Sequence, residues 1–97
     1  MIYKTDSSRP AHAQVTFALP ASLWADKVFV VGDFNHWSAT STPLTQTRDG
    51  VWRATVELPI GQQYQFRYLV NGAWTADGQA DGFVSHEGLS NSILSLA

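Results

Sequence analysis

The chain predicts an all-β fold, two layers built from about seven antiparallel strands, and three observations carry that prediction. Apolar residues alternate with period two in several short segments. Turn-forming residues, among them Arg48-Asp49-Gly50, Pro59-Ile60-Gly61 and Asn71-Gly72, punctuate the chain between them. Nowhere do apolar residues recur at helical spacing over more than a turn.

Residues 1–12 are polar, show no period and read as a flexible lead-in, which leaves 13–97 as a single domain. From Ala13 to Leu19 the alternation puts Val15, Phe17 and Leu19 on one face of a strand that Pro20 ends. Ala21–Asp26 is a connection, with Trp24 expected to close one end of the core. Val28-Phe29-Val30-Val31 is continuously apolar and reads as a strand buried on both faces, stopped by Gly32 and Asp33. Phe29 is counted with the core aromatics, and Asp33 is expected to cap the turn with its own side chain. Ser38–Pro43 reads as loop, after which Leu44 points inward.

Val51–Leu58 alternates most clearly, with Trp52, Ala54, Val56 and Leu58 on one side and Arg53, Thr55 and Glu57 on the other. Tyr64–Val70 follows with Tyr64, Phe66, Tyr68 and Val70 inward and Gln65, Arg67 and Leu69 outward. Asn71-Gly72 is a strong hairpin signal because both residues accept positive φ, and it delivers Trp74 onto a return strand. Asp77-Gly78, Asp81-Gly82 and Glu87-Gly88 punctuate an irregular segment, and Ser92–Leu96 reads as the last strand. Together these elements make an immunoglobulin-like β-sandwich.

The composition excludes several function classes. A net charge of −2, with only six Lys and Arg scattered along the chain, offers no basic stripe for nucleic acid or an anionic membrane. The absence of cysteine removes disulfides, thiolate catalysis and cysteine metal sites. No apolar run approaches membrane-spanning length, and the first ten residues lack the apolar core of a signal peptide, so the expected compartment is the cytoplasm.

No nucleophile elbow, phosphate-cradling glycine loop or His-Glu-x-x-His pair is present, so no catalytic residue is assigned and the chain is not read as an enzyme. The three histidines lie far apart in sequence, and Asp77 and Asp81 fit no calcium loop; no metal and no cofactor are expected.

The aromatics point elsewhere. Trp37 and Trp74 each follow turn signals, Asn35-His36 and Asn71-Gly72, which sets both at the rim of the sheet. A flat indole exposed there can stack on the C–H face of a pyranose, while amides and a guanidinium bond the hydroxyl edges. Arg67, on the outward face of the strand leading to Trp74, can supply that guanidinium.

Gly32-Asp33-Phe34-Asn35-His36-Trp37, then Trp52 with Val56-Glu57-Leu58-Pro59-Ile60-Gly61, then Tyr64 to Trp74, and finally Ser90-Asn91-Ser92 resemble the glycogen-binding modules of family 48. That family includes the early-set domains of isoamylases and branching enzymes and the β subunit of AMP-activated protein kinase. The resemblance runs from about Val28 to the C-terminus and implies an immunoglobulin-like sandwich binding α-1,4-glucans: glycogen, starch or maltooligosaccharides. It implies platform tryptophans at Trp37 and Trp74 and polar contacts from Arg67 and Asn91. Asn35, Glu87 and Leu89 complete the expected contact set; kinase subunits carry Leu and Thr in the loop where Glu87 and Leu89 stand here. Arg67 stands where Lys is common, and Asn71 replaces a frequent Asp. The partner expected is an α-glucan, with a glycoside hydrolase family enzyme as a possible protein partner. The competing expectation is a scaffold domain that docks onto a separate glucan-metabolising enzyme or kinase and uses its tryptophans on protein instead of sugar.

Overall fold

The computed structural model describes residues 1–77, 80–86 and 89–97. Among the described residues nine strands form two antiparallel sheets of an immunoglobulin-like sandwich, and the only helical segment is a single 3-10 turn at Asp33–Asn35. The first sheet orders β1 (Ile2–Asp6), β2 (His12–Leu19), β5 (Trp52–Pro59) and β4 (Thr45–Gln46). The second orders β3 (Val28–Gly32), β6 (Gln63–Val70), β9 (Leu89–Ser95) and β8 (Gly82–His86), with β7 (Ala73–Thr75) paired to the far end of β6.

The alternating segments become the strands that face one another. Val15 and Phe17 of β2 and Trp52 and Leu58 of β5 meet Val28 and Val30 of β3, Tyr64, Phe66 and Tyr68 of β6, and Leu94 of β9. Phe17 is fully buried at the centre, its ring centroid 5.0 Å from Phe66, 5.3 Å from Phe34 and 6.4 Å from Tyr68. Phe66 and Tyr68 meet it edge-to-face and Phe34 stacks on it, and ring contacts of both kinds add to simple area burial. Leu44 turns inward as expected. The Tyr68 hydroxyl donates to Asp77 Oδ2 (2.8 Å). Burial above all, then the charge and hydrogen bond of Asp77, pushes its ionisation far above the ordinary phenol range.

Several elements differ from the sequence reading. The lead-in contains β1, which pairs with β2 from Ile2↔Phe17 to Asp6↔Ala13. It has no apolar period because it is an edge strand whose residues 3–6 are exposed, and Lys4 ties it to Asp81 at 2.6 Å. Trp24 does not close the core. Leu23 and Ala25 take the inward positions against it, so the alternation turns Trp24 outward, 95% exposed. Phe29 is not a core residue either. In the β3–β6 register Val30 pairs with inward Tyr68, which leaves Phe29 beside Leu69 on the outer face. The segment read as irregular holds β8, and the last strand begins at Leu89, ahead of the expected Ser92.

Gly32 is required by proximity, since a Cβ there would lie 2.5 Å from the Gln65 carbonyl oxygen and 2.8 Å from Phe66 Cβ. The Asn71-Gly72 hairpin forms with both residues at positive φ (48° and 83°) and Val70 opposite Ala73. Asn71 also accepts from the backbone N–H groups of Asp26 and Lys27, which ties the connection after Trp24 to this turn.

Candidate functional site

The site lies on the outer face of the second sheet. β6 alternates, so with Tyr64, Phe66 and Tyr68 in the core, Gln65, Arg67 and Leu69 project outward. The β6–β9 register reaches Phe66↔Ser92, and the next residue of β9, Asn91, bonds the Arg67 side chain. β7 places Trp74 directly across from Leu69. The chain leaving β3 brings Trp37 to the other side of Arg67.

Arg67 sits between the two indoles. Its guanidinium carbon is 5.8 Å from the Trp37 ring centroid and 5.5 Å from that of Trp74. Both lie within cation–π range, where an exposed contact contributes about 0.5–1 kcal/mol. Trp37 and Trp74 stay accessible, 37% and 50% exposed. Arg67 Nε donates to Asn91 Oδ1, and Asn91 Nδ2 donates to Gln65 Oε1 (2.9 Å). Asn91 is itself only 5% exposed, so this chain fixes the guanidinium from below.

Trp37 is held by a device the sequence reading missed. Asp33 does not cap its own turn. Its Oδ1 accepts the Trp37 indole N–H (2.9 Å) and its Oδ2 accepts the backbone N–H of Gln65 (2.7 Å). The indole's one polar handle is therefore used within the protein, leaving its faces for contact. His36 and Trp37 both adopt left-handed φ near 57°, a conformation costly for non-glycine residues, and a Trp37 N–H to Gly32 carbonyl bond (2.9 Å) secures it. Removing the carboxylate in Asp33→Ala is expected to move the Trp37 indole N–H resonance and speed its exchange with water by roughly tenfold, the worth of one net hydrogen bond. Asp33→Asn, which keeps one accepting oxygen for the two N–H groups, is expected to fall between native and Asp33→Ala, and an unmoved resonance in Asp33→Ala would refute this role for the carboxylate.

Of the residues expected at the site, Trp37, Arg67, Trp74 and Asn91 come together, joined by Gln65 and Asp33. Asn35 does not reach it: its amide bonds Gly32 N, Val30 O and Thr42 Oγ1, so it fastens the loop to β3. Glu87 and the side chain of Leu89 lie outside the described residues. Gln65 carried a signal, being two residues before Arg67 on the same strand face. Asp33 carried none beyond its place at a strand end.

Two grooves flank the guanidinium. One, of about 400 Å³, is lined by Asp33, Trp37, Gln65, Arg67 and Asn91. The other, of about 210 Å³, runs between Arg67, Trp74, Thr75, Ala76 and Ser90. Each combines an aromatic wall with donors and acceptors at its edge, and the first adds the Asp33 carboxylate opposite the guanidinium. No group of three or more His, Cys, Asp or Glu able to hold a metal occurs among the described residues. No helix among them is long and apolar enough to cross a membrane.

A β-sandwich carrying a preformed aromatic and polar face is, as a class, a recognition module. The model of the family described as the glycogen recognition site of AMP-activated protein kinase matches residues 15–97, and the chain belongs to that family. It is a family of carbohydrate-binding modules, domains without catalysis of their own. Among similar proteins, 5'-AMP-activated protein kinase subunit beta-1 of Sus scrofa is 34% identical over 70 residues, 72% of this chain and 54% of that protein. The Homo sapiens subunit is 33% identical over the same length, which is 24% of that protein. The 1,4-alpha-glucan branching enzyme GlgB of Lactobacillus acidophilus is 51% identical over 43 residues, 43% of this chain and 7% of the enzyme. The chain thus spans about half the length of the porcine subunit and a quarter or less of the other two.

Proposed function

We propose that this chain binds α-1,4-glucans such as glycogen, starch or maltooligosaccharides through the outer face of its second sheet, and that it has no catalytic activity of its own. The observation that carries the reading is the Arg67 guanidinium set between Trp37 and Trp74 and braced by Asn91 and Gln65. The indoles offer apolar faces to the C–H side of the sugar rings, and the guanidinium and amides offer polar groups to the hydroxyl edges. The family, described by its glycogen recognition site, and the match to a 1,4-alpha-glucan branching enzyme support that ligand class.

Two aromatic contacts at about 0.5–1.5 kcal/mol each and a few exposed hydrogen bonds near 1 kcal/mol amount to weak binding. A Kd between roughly 10 μM and 1 mM is expected for one site. Retention on a polymer then depends on its many repeated sites or on a tethered partner. A glucan-processing enzyme of a glycoside hydrolase family is the protein partner such a module would bring to its polymer; the partial span of the branching-enzyme match is what supports this. Titration with maltoheptaose should give a saturable change in Trp fluorescence in that concentration range. A flat signal to several millimolar sugar, with no co-sedimentation on insoluble starch, would overturn the reading.

A further inference from the structure

The outer face of the second sheet does not end at Trp74. Phe29, Leu69 and Trp74 are registered side by side on β3, β6 and β7. At the spacing of neighbouring strands this makes a row roughly 10 Å long. From Trp74 back toward β3 the row floors a groove of about 550 Å³, with Phe29 and Leu69 beneath it and Asp26, Lys27, Thr40 and Asn71 at its edges. Asp26 and Asn71 also line the hollow beneath Trp24, so the groove leads to that indole. Trp24 is 95% exposed, a large apolar surface left in water. Its segment is not loose: Asn71 Oδ1 accepts from Asp26 N and Lys27 N, and Asn71 N donates to the Lys27 carbonyl.

We infer that this groove and Trp24 form a second contact region that takes the continuation of the same glucan chain from Trp74 across Leu69 toward β3. The inference rests on the glucan reading of the Arg67 site and extends it to ligand length. The argument for sugar is continuity and chemistry. The groove begins at the residue paired with Trp74, it has an apolar floor with a carboxylate, an ammonium, an amide and a hydroxyl along its edges, and it shares Asp26 and Asn71 with the hollow beside an exposed indole. That is the pattern of the Arg67 site repeated one strand across.

The test compares maltopentaose with a linear α-1,4-glucan of a dozen or more units, on the native protein and on Trp24→Ala, whose side chain is too exposed for its loss to disturb the fold. Overlapping registers on a longer chain raise apparent affinity equally in both proteins, so comparing the variant's loss at the two lengths isolates Trp24. Trp24→Ala is expected to weaken the long chain by about 3- to 10-fold, one aromatic contact, and to leave maltopentaose within about 2-fold. Amide resonances of Lys27 and Gly72 are expected to move with the long glucan and to stay with the short one. If both lengths bind and neither Trp24→Ala nor those resonances distinguish them, the extension is overturned while the Arg67 site stands. If neither length binds, the glucan reading itself fails and the extension with it.

Discussion

Arg67→Ala is expected to lower affinity for maltoheptaose by about 30- to 100-fold. A charge-assisted hydrogen bond to a ligand hydroxyl is worth about 1.5–3 kcal/mol, and the two indoles also lose the cation that spaces them, at about 0.5–1 kcal/mol each. Those contributions overlap, and a net loss of roughly 2–2.8 kcal/mol corresponds to the stated factor. The fold should persist, because Arg67 projects away from the core and the Asn91 amide keeps its bond to Gln65. Arg67→Lys is expected to fall between, since an ammonium keeps the charge but cannot stack as a plane while bonding Asn91. Arg53, engaged with Asp49 on the other sheet, provides the control: its alanine variant should bind as the native protein does. Calorimetry or affinity electrophoresis in a glucan gel measures the series, and an Arg67→Ala variant within threefold of native affinity would remove this residue from the site.

Phe17→Ala carries the largest expected effect on stability, about 3–5 kcal/mol. The ring is fully buried and touches aromatic neighbours from both the second sheet and the 3-10 turn, so its loss leaves a cavity that strands fixed by their ladders cannot close. Against a total stability of roughly 5–15 kcal/mol, the variant should unfold at a much lower urea midpoint or be partly unfolded in its absence. Phe83→Ala supplies the comparison. Phe83 is half-exposed on β8, and its replacement is expected to cost less than about 1 kcal/mol. Near-equal midpoints for the two variants would mean that the centre of the sandwich lies elsewhere.

Where one face of a strand is buried and the other wet, the sequence was readable. Val15 and Phe17, the Trp52–Leu58 alternation and the Tyr64–Val70 alternation each occupy the sides their period assigned, because each strand has a core on one side only. The 2–6 strand left no such trace, since an edge strand with four exposed residues has no face to encode. Phe29 and Trp24 were misplaced for a related reason. In a run of four apolar residues the inward pair is set by register against β6, and in 21–26 by the two residues flanking the indole; neither is written in hydrophobicity. At the site, the tryptophans are legible beside turns and Arg67 on the outward face of its strand, while Asn91 follows from the family resemblance alone. The Asp33 bridge was not, because it joins a strand end to a backbone N–H thirty-two positions away.

That bridge has a thermodynamic consequence. Before any sugar arrives, one carboxylate oxygen fixes the Trp37 indole, and stacking with an amide anchor fixes the Arg67 side chain. Each mobile side chain stilled on association ordinarily costs about 0.5–1.5 kcal/mol. Here much of that ordering is completed during folding, so a shallow surface can keep more of its gross attraction for a partner that is itself floppy.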